Sequence, residues 1–263
     1  MGILLKVAYD GTNYAGWQIQ KNDITVHGVL HDAIKQILNG SDFSLLGASR
    51  TDAGVHALGQ CVHLMPENLN IPVERLPYAL NSVLPKDIAV LDSKIVSDDF
   101  HPIRDAISKT YIYKIWNKAY RNPLLHNYSA HISKGLDVEL MQESCIHFVG
   151  KHDFAAFCAT GSSVKTTVRE IFSLKISNSN GLIEIFVNGN GFLYNMVRII
   201  AGTLVEVGLG KINPNTIPAI IASCDRNKAG RTMPPQGLTL IEVEYNKPEN
   251  GRQMPPIRSF DFL

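Results

Sequence analysis

The chain has 263 residues, 45% of them hydrophobic and 19% charged, which bounds it to one large domain or two smaller ones with ample apolar mass for a core. A net charge of +1 excludes a strongly basic, indiscriminate nucleic-acid binder, but leaves room for a local basic cleft balanced elsewhere. The four cysteines, Cys61, Cys145, Cys158 and Cys224, have neither a C-x-x-C pair nor a zinc spacing, and no apolar run is long enough to span a bilayer. Residues 1–6 are too short and too soon charged for an export signal, so reduced thiols and a cytoplasmic location are expected.

Residues 3–9 read as a strand ending at the turn signal Asp10-Gly11. In the loop that follows, Gly11 and Gly16 have phosphate-loop spacing. Trp17-Gln18 stand where Lys and Ser or Thr are needed, so nucleotide binding is rejected and packing on the core is the simpler reading. Thr25 is an N-cap for a helix over 26–38, whose apolar residues fall on one face and which Asn39-Gly40 ends. Strands over 43–46 and 60–65 flank the stretch Gly47 to Gln60, a helix is predicted over 73–84, and a strand over 88–95. A connector, 98–104, leads to a strand over 109–117 with Tyr111, Tyr113 and Ile115 on one face. Residues 118–134 form a long irregular loop, a length that suggests a functional or interface role.

Asp137 caps a helix reaching residues 149–150, and 159–167 is a polar, mobile loop. Strands over 168–177 and 182–187, helices over 192–207 and 216–223, and a strand over 237–245 complete the fold; the Pro-rich tail 246–263 is expected to lie on the surface or be disordered. The order β-α-β-β-α-β therefore occurs twice. It predicts an α+β fold of two ferredoxin-like, RRM-like halves, 1–104 and 105–245, with joined sheets, helices on one face and an active-site cleft between the halves.

The candidate chemistry centres on Arg50-Thr51-Asp52, placed among small residues between two strands where a scaffold can present it. A solvated hairpin turn is the plainer alternative. Arg198 is the lone charge in an otherwise apolar helical stretch, and a buried guanidinium needs an acidic partner or a wet cleft. Its helix neighbours Ala201 and Gly202 are small enough to admit a partner. Any nearby carboxylate satisfies that need; the hypothesis is Asp52, which Arg198 would hold ionised and orient. The Gly189-Asn190-Gly191 step lacks the third glycine of a dinucleotide site, and the nine histidines form no metal motif.

Motifs along most of residues 3–245 resemble one family, the tRNA pseudouridine synthase A family. They are Tyr9-Asp10-Gly11-Thr12 with Tyr14, Gly16-Trp17-Gln18 and Gln20; Arg50-Thr51-Asp52-Ala53-Gly54-Val55-His56-Ala57 with Gly59-Gln60; and Phe100-His101 with Arg104. Lys109-Thr110-Tyr111-Ile112-Tyr113, Asp153-Phe154 with Phe157, and Thr167-Val168-Arg169 continue the series. Met196-Val197-Arg198 with Gly202-Thr203, and Pro234-Pro235 with Gly237-Leu238, close it. Ser49 stands where a glycine is common and His27 where Gln is expected.

The resemblance implies isomerisation of uridine to pseudouridine in the anticodon stem-loop of tRNA (nucleotides 38–40), without metal or organic cofactor, by a homodimer whose subunits together hold the tRNA. It implies Asp52 as nucleophile, Arg198 as its partner, Tyr111 as the ring against the target base, and Arg50 in the space that base leaves. Tyr113 is the alternative ring. Phosphate contacts are expected from Arg50, Arg104, Lys165, Arg169 and Arg231. Two competing readings are a non-catalytic RNA-binding protein and a metal-dependent hydrolase using Asp52, His56 and His63.

Overall fold

The computed structural model describes residues 1–161 and 164–245. In chain order the regular elements are β1 (Gly2–Tyr9), α1 (Val26–Ile37), β2 (Phe43–Gly47), β3 (His56–Pro66), α2 (Leu76–Asn81), β4 (Ile88–Val96), β5 (Ala106–Trp116), β6 (Ala130–His131), α3 (Val138–Ser144), β7 (Gly150–Asp153), β8 (Val168–Ser179), β9 (Leu182–Gly189), α4 (Met196–Gly208), α5 (Ile217–Ser223) and β10 (Leu238–Tyr245). The fold is mixed α+β. Among the described residues ten strands form one sheet, ordered β4-β1-β3-β10-β5-β9-β8-β7, with β2 paired to β3 and β6 to β5. No helix among them is long and apolar enough to cross a membrane.

The seam of this sheet positions the site. The last strand in the chain, β10, sits mid-sheet, parallel to β3 at Thr239↔His56 and Leu240↔Ala57 and antiparallel to β5 along its length. Its two parallel pairs with β3 lie directly after the turn that carries Asp52. The buried side chains form one cluster running from Ile3 and Leu5 through Tyr111 and Ile185 to Ile200 and Leu204. Each aliphatic chain buried there stabilises the fold by about 1.5–3 kcal/mol.

Local chemistry explains the elements. Thr25 Oγ1 accepts from Gly28 N at 3.2 Å and starts α1. Asn39 and Gly40, at φ of 52° and 83°, end it. Asp137 Oδ1 accepts from Leu140 N at 3.1 Å and starts α3. β5 alternates as its sequence implies, with Tyr111, Tyr113 and Ile115 buried and Thr110, Ile112 and Lys114 partly exposed.

Several boundaries differ from the sequence expectation. The helix expected over 192–207 begins only at Met196, because Asn195 is held left-handed at φ 60° and residues 192–195 precede it outside the helix. The predicted helix over 73–84 is a 3-10 turn, Val73–Arg75, followed by the short α2. The helix capped by Asp137 passes into a 3-10 turn at Cys145–Phe148. β7 and β6 lacked a periodic signal because each is too short to show one. β3 begins at His56 rather than 60, since pairing with β1 and β10 extends it into the glycine-containing stretch. The expectation for 246–263 lies outside the described residues, as do residues 162–163 of the polar loop.

Candidate active site

The turn from Ala48 to Val55 is anchored at almost every step. Ala48 N donates to Cys61 O at 2.8 Å. Ser49 and Gln60 exchange two bonds, Ser49 N to Gln60 Oε1 at 3.2 Å and Gln60 Nε2 to Ser49 O at 2.6 Å. Trp17 N donates to Thr51 O at 3.0 Å, Gly54 N to Tyr14 O at 3.3 Å, and Val55 N to Asp52 O at 3.1 Å. The Tyr9 hydroxyl lies 2.7 Å from Thr51 Oγ1. A turn tied to three other segments holds its side chains in place without being part of a helix or strand.

This accounts for the motif around Gly11 and Trp17. The loop it occupies is the cradle of the Asp52 turn, so the packing alternative holds for Tyr14 and Trp17, which are buried. A Cβ on Gly11 would lie 2.0 Å from Val55 O, so that close approach demands glycine. His56 completes the cradle: its Nδ1 accepts from Gly11 N at 3.0 Å, and its Nε2 lies 2.8 Å from Asn127 O on the long loop. That loop thereby reaches the first half of the chain, as does Tyr128, whose hydroxyl donates to Asp10 Oδ2 at 2.7 Å.

Asp52 and Arg198 are 146 positions apart in sequence and meet at 3.0 Å, Nη1 to Oδ2. Their side chains retain 20% and 14% exposure, so the pair is shielded but reachable. Arg198 is fixed from its other sides: Nη1 also donates to Asn195 Oδ1 at 2.5 Å and Nε to Met233 O at 2.7 Å. The left-handed Asn195 thus has a use, since it starts α4 and aims an oxygen at the guanidinium. Gly202 does admit a neighbour, but that neighbour is the backbone of Arg231, whose carbonyl would lie 1.8 Å from an added Cβ. The strap bearing Arg231 is what brings Met233 O to Arg198.

The electrostatics differ from the sequence expectation in one respect. Burial pushes the Asp52 carboxyl above its usual range, and the hydrogen bond and charge of Arg198 only partly oppose that. Arg198 orients the carboxylate and limits the rise, but the net pKa stays above the ordinary value.

Tyr111 projects from β5 with 7% exposure, its ring edge-on to Phe192 at 5.1 Å between centroids. Its hydroxyl is pushed up to about 12, chiefly by burial, with the Asp52 carboxylate adding to the rise and a Ser49 hydrogen bond opposing it. The phenol is therefore neutral at ordinary pH. Tyr113 is fully buried, and its hydroxyl donates to Pro234 O at 2.7 Å, so it is committed to holding the strap.

The remaining basic residues divide by place. Arg50 is exposed beside Asp52 on the same turn, and Arg231 is exposed on the strap. Arg169 is half-buried, with Nη1 donating to Thr166 O at 2.9 Å and Val168 O at 2.7 Å. Lys165 is exposed on the polar loop. Arg104 is not brought to Asp52. It lines a cavity of about 420 Å³ with His63, Met65 and Phe100, and His63 stands seven residues along β3 from His56, about 23 Å at the usual strand rise. The same separation keeps Asp52, His56 and His63 from converging on one ion. Sequence reasoning gave no separate role to Lys109, Asn195 or the Met233 carbonyl. Lys109 alone left a signal, a cation alternating onto the face of Tyr111.

A family model described as tRNA pseudouridine synthase matches residues 6–103 and 145–246; the segment between them carries Tyr111. The tRNA pseudouridine synthase A of Caldicellulosiruptor saccharolyticus is 51% identical over 243 residues, 92% of this chain and 99% of the relative. The protein of that name from Thermoanaerobacter sp. gives the same figures, and that from Ruminiclostridium cellulolyticum is 48% identical over 244 residues with the same coverage. A solved structure described as a crystal structure of a Cbf5-Nop10-Gar1 complex has 13% identity and a TM-score of 0.37, covering 90% of this chain and 48% of that one, a likeness too loose to argue from. With the family model matching most of the chain and about half of all residues shared with proteins of this name along nearly their whole length, the chain belongs to the tRNA pseudouridine synthase family.

Proposed function

We propose that this chain converts uridine to pseudouridine in the anticodon stem-loop of tRNA, with Asp52 as the covalent nucleophile. Family membership makes it an isomerase acting on uridine in tRNA. The observation that carries the finer reading is the Asp52–Arg198 pair: a shielded carboxylate on a rigid turn, at the sheet seam, beside the Tyr111 ring.

The chemistry suits these groups. One Asp52 oxygen attacks either the ribose C1′ or C6 of the base. In the first route the N1–C1′ bond breaks and uracil departs as an anion, which nearby donors stabilise. The base turns, C5 bonds to C1′, the carboxylate leaves, the C5 proton is lost and N1 gains one. Tyr111 offers a ring for the uracil to lie against during the turn, and Arg198 keeps the carboxylate aimed. Extruding the nucleoside costs a few kcal/mol, which phosphate contacts from Arg50, Lys165, Arg169 and Arg231 offset. Arg104 acts only on a more distant part of the tRNA.

We read residues 1–104 and 105–245 as ferredoxin-like halves with helices on one face and the cleft between them, supported by the element order. A homodimer spanning one tRNA is part of the same reading. The tRNA substrate is what argues for the cytoplasm. The test is tritium release from tRNA labelled at uracil C5, because bond formation there must expel that hydrogen. Wild type releases tritium and Asp52→Asn does not. Release by Asp52→Asn sinks the assignment, and tRNA binding without release by wild type favours a non-catalytic binder.

A further inference from the structure

Lys109 is a cation at the seam that the chemistry above leaves unused. It stands two residues before Tyr111 on β5, and strand alternation puts both on one face. The opposite face is marked independently, because Asn188 Nδ2 donates to both Ser108 Oγ at 3.1 Å and Thr110 Oγ1 at 2.9 Å. From the face of Tyr111, Lys109 Nζ donates to Ala48 O at 2.7 Å. Ala48 is the first residue of the Asp52 turn. The bond joins two segments 61 positions apart, one carrying the ring and the other the carboxylate.

Among the described residues, no carboxylate partners this ammonium. Its register neighbours are Val243 on β10 and Gly189 on β9. The charged or titratable groups acting on it are Cys61 from β3 and Arg169 from β8. An ammonium held half-buried without a counter-ion costs stability, so a stability role alone is a poor explanation for it. Burial, with Cys61 opposing and Arg169 assisting, pushes its pKa down to about 8.

We propose that Lys109 is a positioning residue of the reaction: its ammonium ties the base of the Asp52 turn to the Tyr111 strand, so that carboxylate and ring keep a constant spacing while the base turns between them. This rests on Asp52 being the nucleophile. A misplacement of about 1 Å at a reacting centre costs on the order of 100-fold in rate.

The test compares Lys109→Met and Lys109→Arg in single-turnover tritium release, with tRNA affinity by filter binding and folding by circular dichroism. Lys109→Met is expected to lower the rate about 30- to 100-fold while tRNA affinity stays within about threefold, and Lys109→Arg to recover to within about fivefold of wild type. Above a pH of about 8 the amine loses its charge and its bond to Ala48 O weakens without breaking, so the wild-type rate is expected to fall severalfold, whereas Lys109→Arg, charged throughout, stays level. If Lys109→Met does not fold, the arginine variant and its pH profile decide the matter. A normal rate in Lys109→Met overturns the proposal, as does a loss appearing in affinity instead of rate. Lys109→Arg as defective as Lys109→Met, or with an unchanged alkaline limb, overturns it too. Wild type without tritium release would instead sink the nucleophile assignment, a distinct outcome.

Discussion

Arg198→Lys keeps the charge and removes the fork. In the native site Nη1 reaches Asp52 Oδ2 at 3.0 Å and Asn195 Oδ1 at 2.5 Å, while Nε reaches Met233 O at 2.7 Å. A single ammonium cannot stand at both nitrogen positions, so either the carboxylate or the strap carbonyl loses its donor. A hydrogen bond to a charged group is worth about 1.5–3 kcal/mol, and each 1.36 kcal/mol is tenfold in rate. The expected loss in kcat is therefore about 10- to 150-fold, with tRNA affinity nearly unchanged. Single-turnover tritium release measures it. The pH profile supplies a second readout. Burial already holds the Asp52 pKa above its ordinary value, and the Arg198 guanidinium opposes that rise. The anion is lost as pH falls through the folded-state pKa, so the wild-type rate declines on the acid side. Weakening the opposing cation moves that decline to higher pH, more in Arg198→Met than in Arg198→Lys. Equal losses in rate and affinity would make Arg198 an RNA contact, and an acid limb unmoved in Arg198→Met would refute the electrostatic reasoning.

Other predictions follow from the same geometry. Asp52→Asn abolishes tritium release yet melts no lower than wild type at pH 7. A raised folded-state pKa means that ionised Asp52 costs stability above that pKa, a cost which disappears as pH falls and both states are protonated. Arg198 keeps its Asn195 and Met233 acceptors in this variant, and a melting temperature several degrees lower at pH 7 would contradict the direction of the shift. Tyr111→Phe keeps the ring and its contact with Phe192, so tritium release stays within about fivefold, whereas Tyr111→Leu loses at least about tenfold. Equal defects in the two would assign the chemistry to the hydroxyl. Gly11→Ala drives a Cβ toward Val55 O and displaces the Asp52 turn. It should lower stability by about 1–3 kcal/mol and kcat with it, and a variant with wild-type melting and rate would show that the cradle does not position the turn.

The sequence alone carried the elements with long, regular patterns, among them α1 with its Thr25 cap and the alternating β5. It also exposed the oddity of Arg198, because one cation in an apolar run demands a partner. It could not say where β10 goes. A strand is recognised by local alternation, but its neighbours are chosen by which hydrophobic faces are left to cover, so the seam between β3 and β5 exists only in the assembled sheet. The boundary at Asn195 was likewise hidden, since asparagine tolerates the left-handed region wherever it stands and only the bond to the Arg198 guanidinium selects it at this position. The net upward pKa of Asp52 depends on how much water the finished fold excludes, and so does the lowered pKa of Lys109. Residue types in order determined which charged groups this protein has for its chemistry. Only their convergence from distant segments decided which ones meet, how far they are desolvated, and what each can do there.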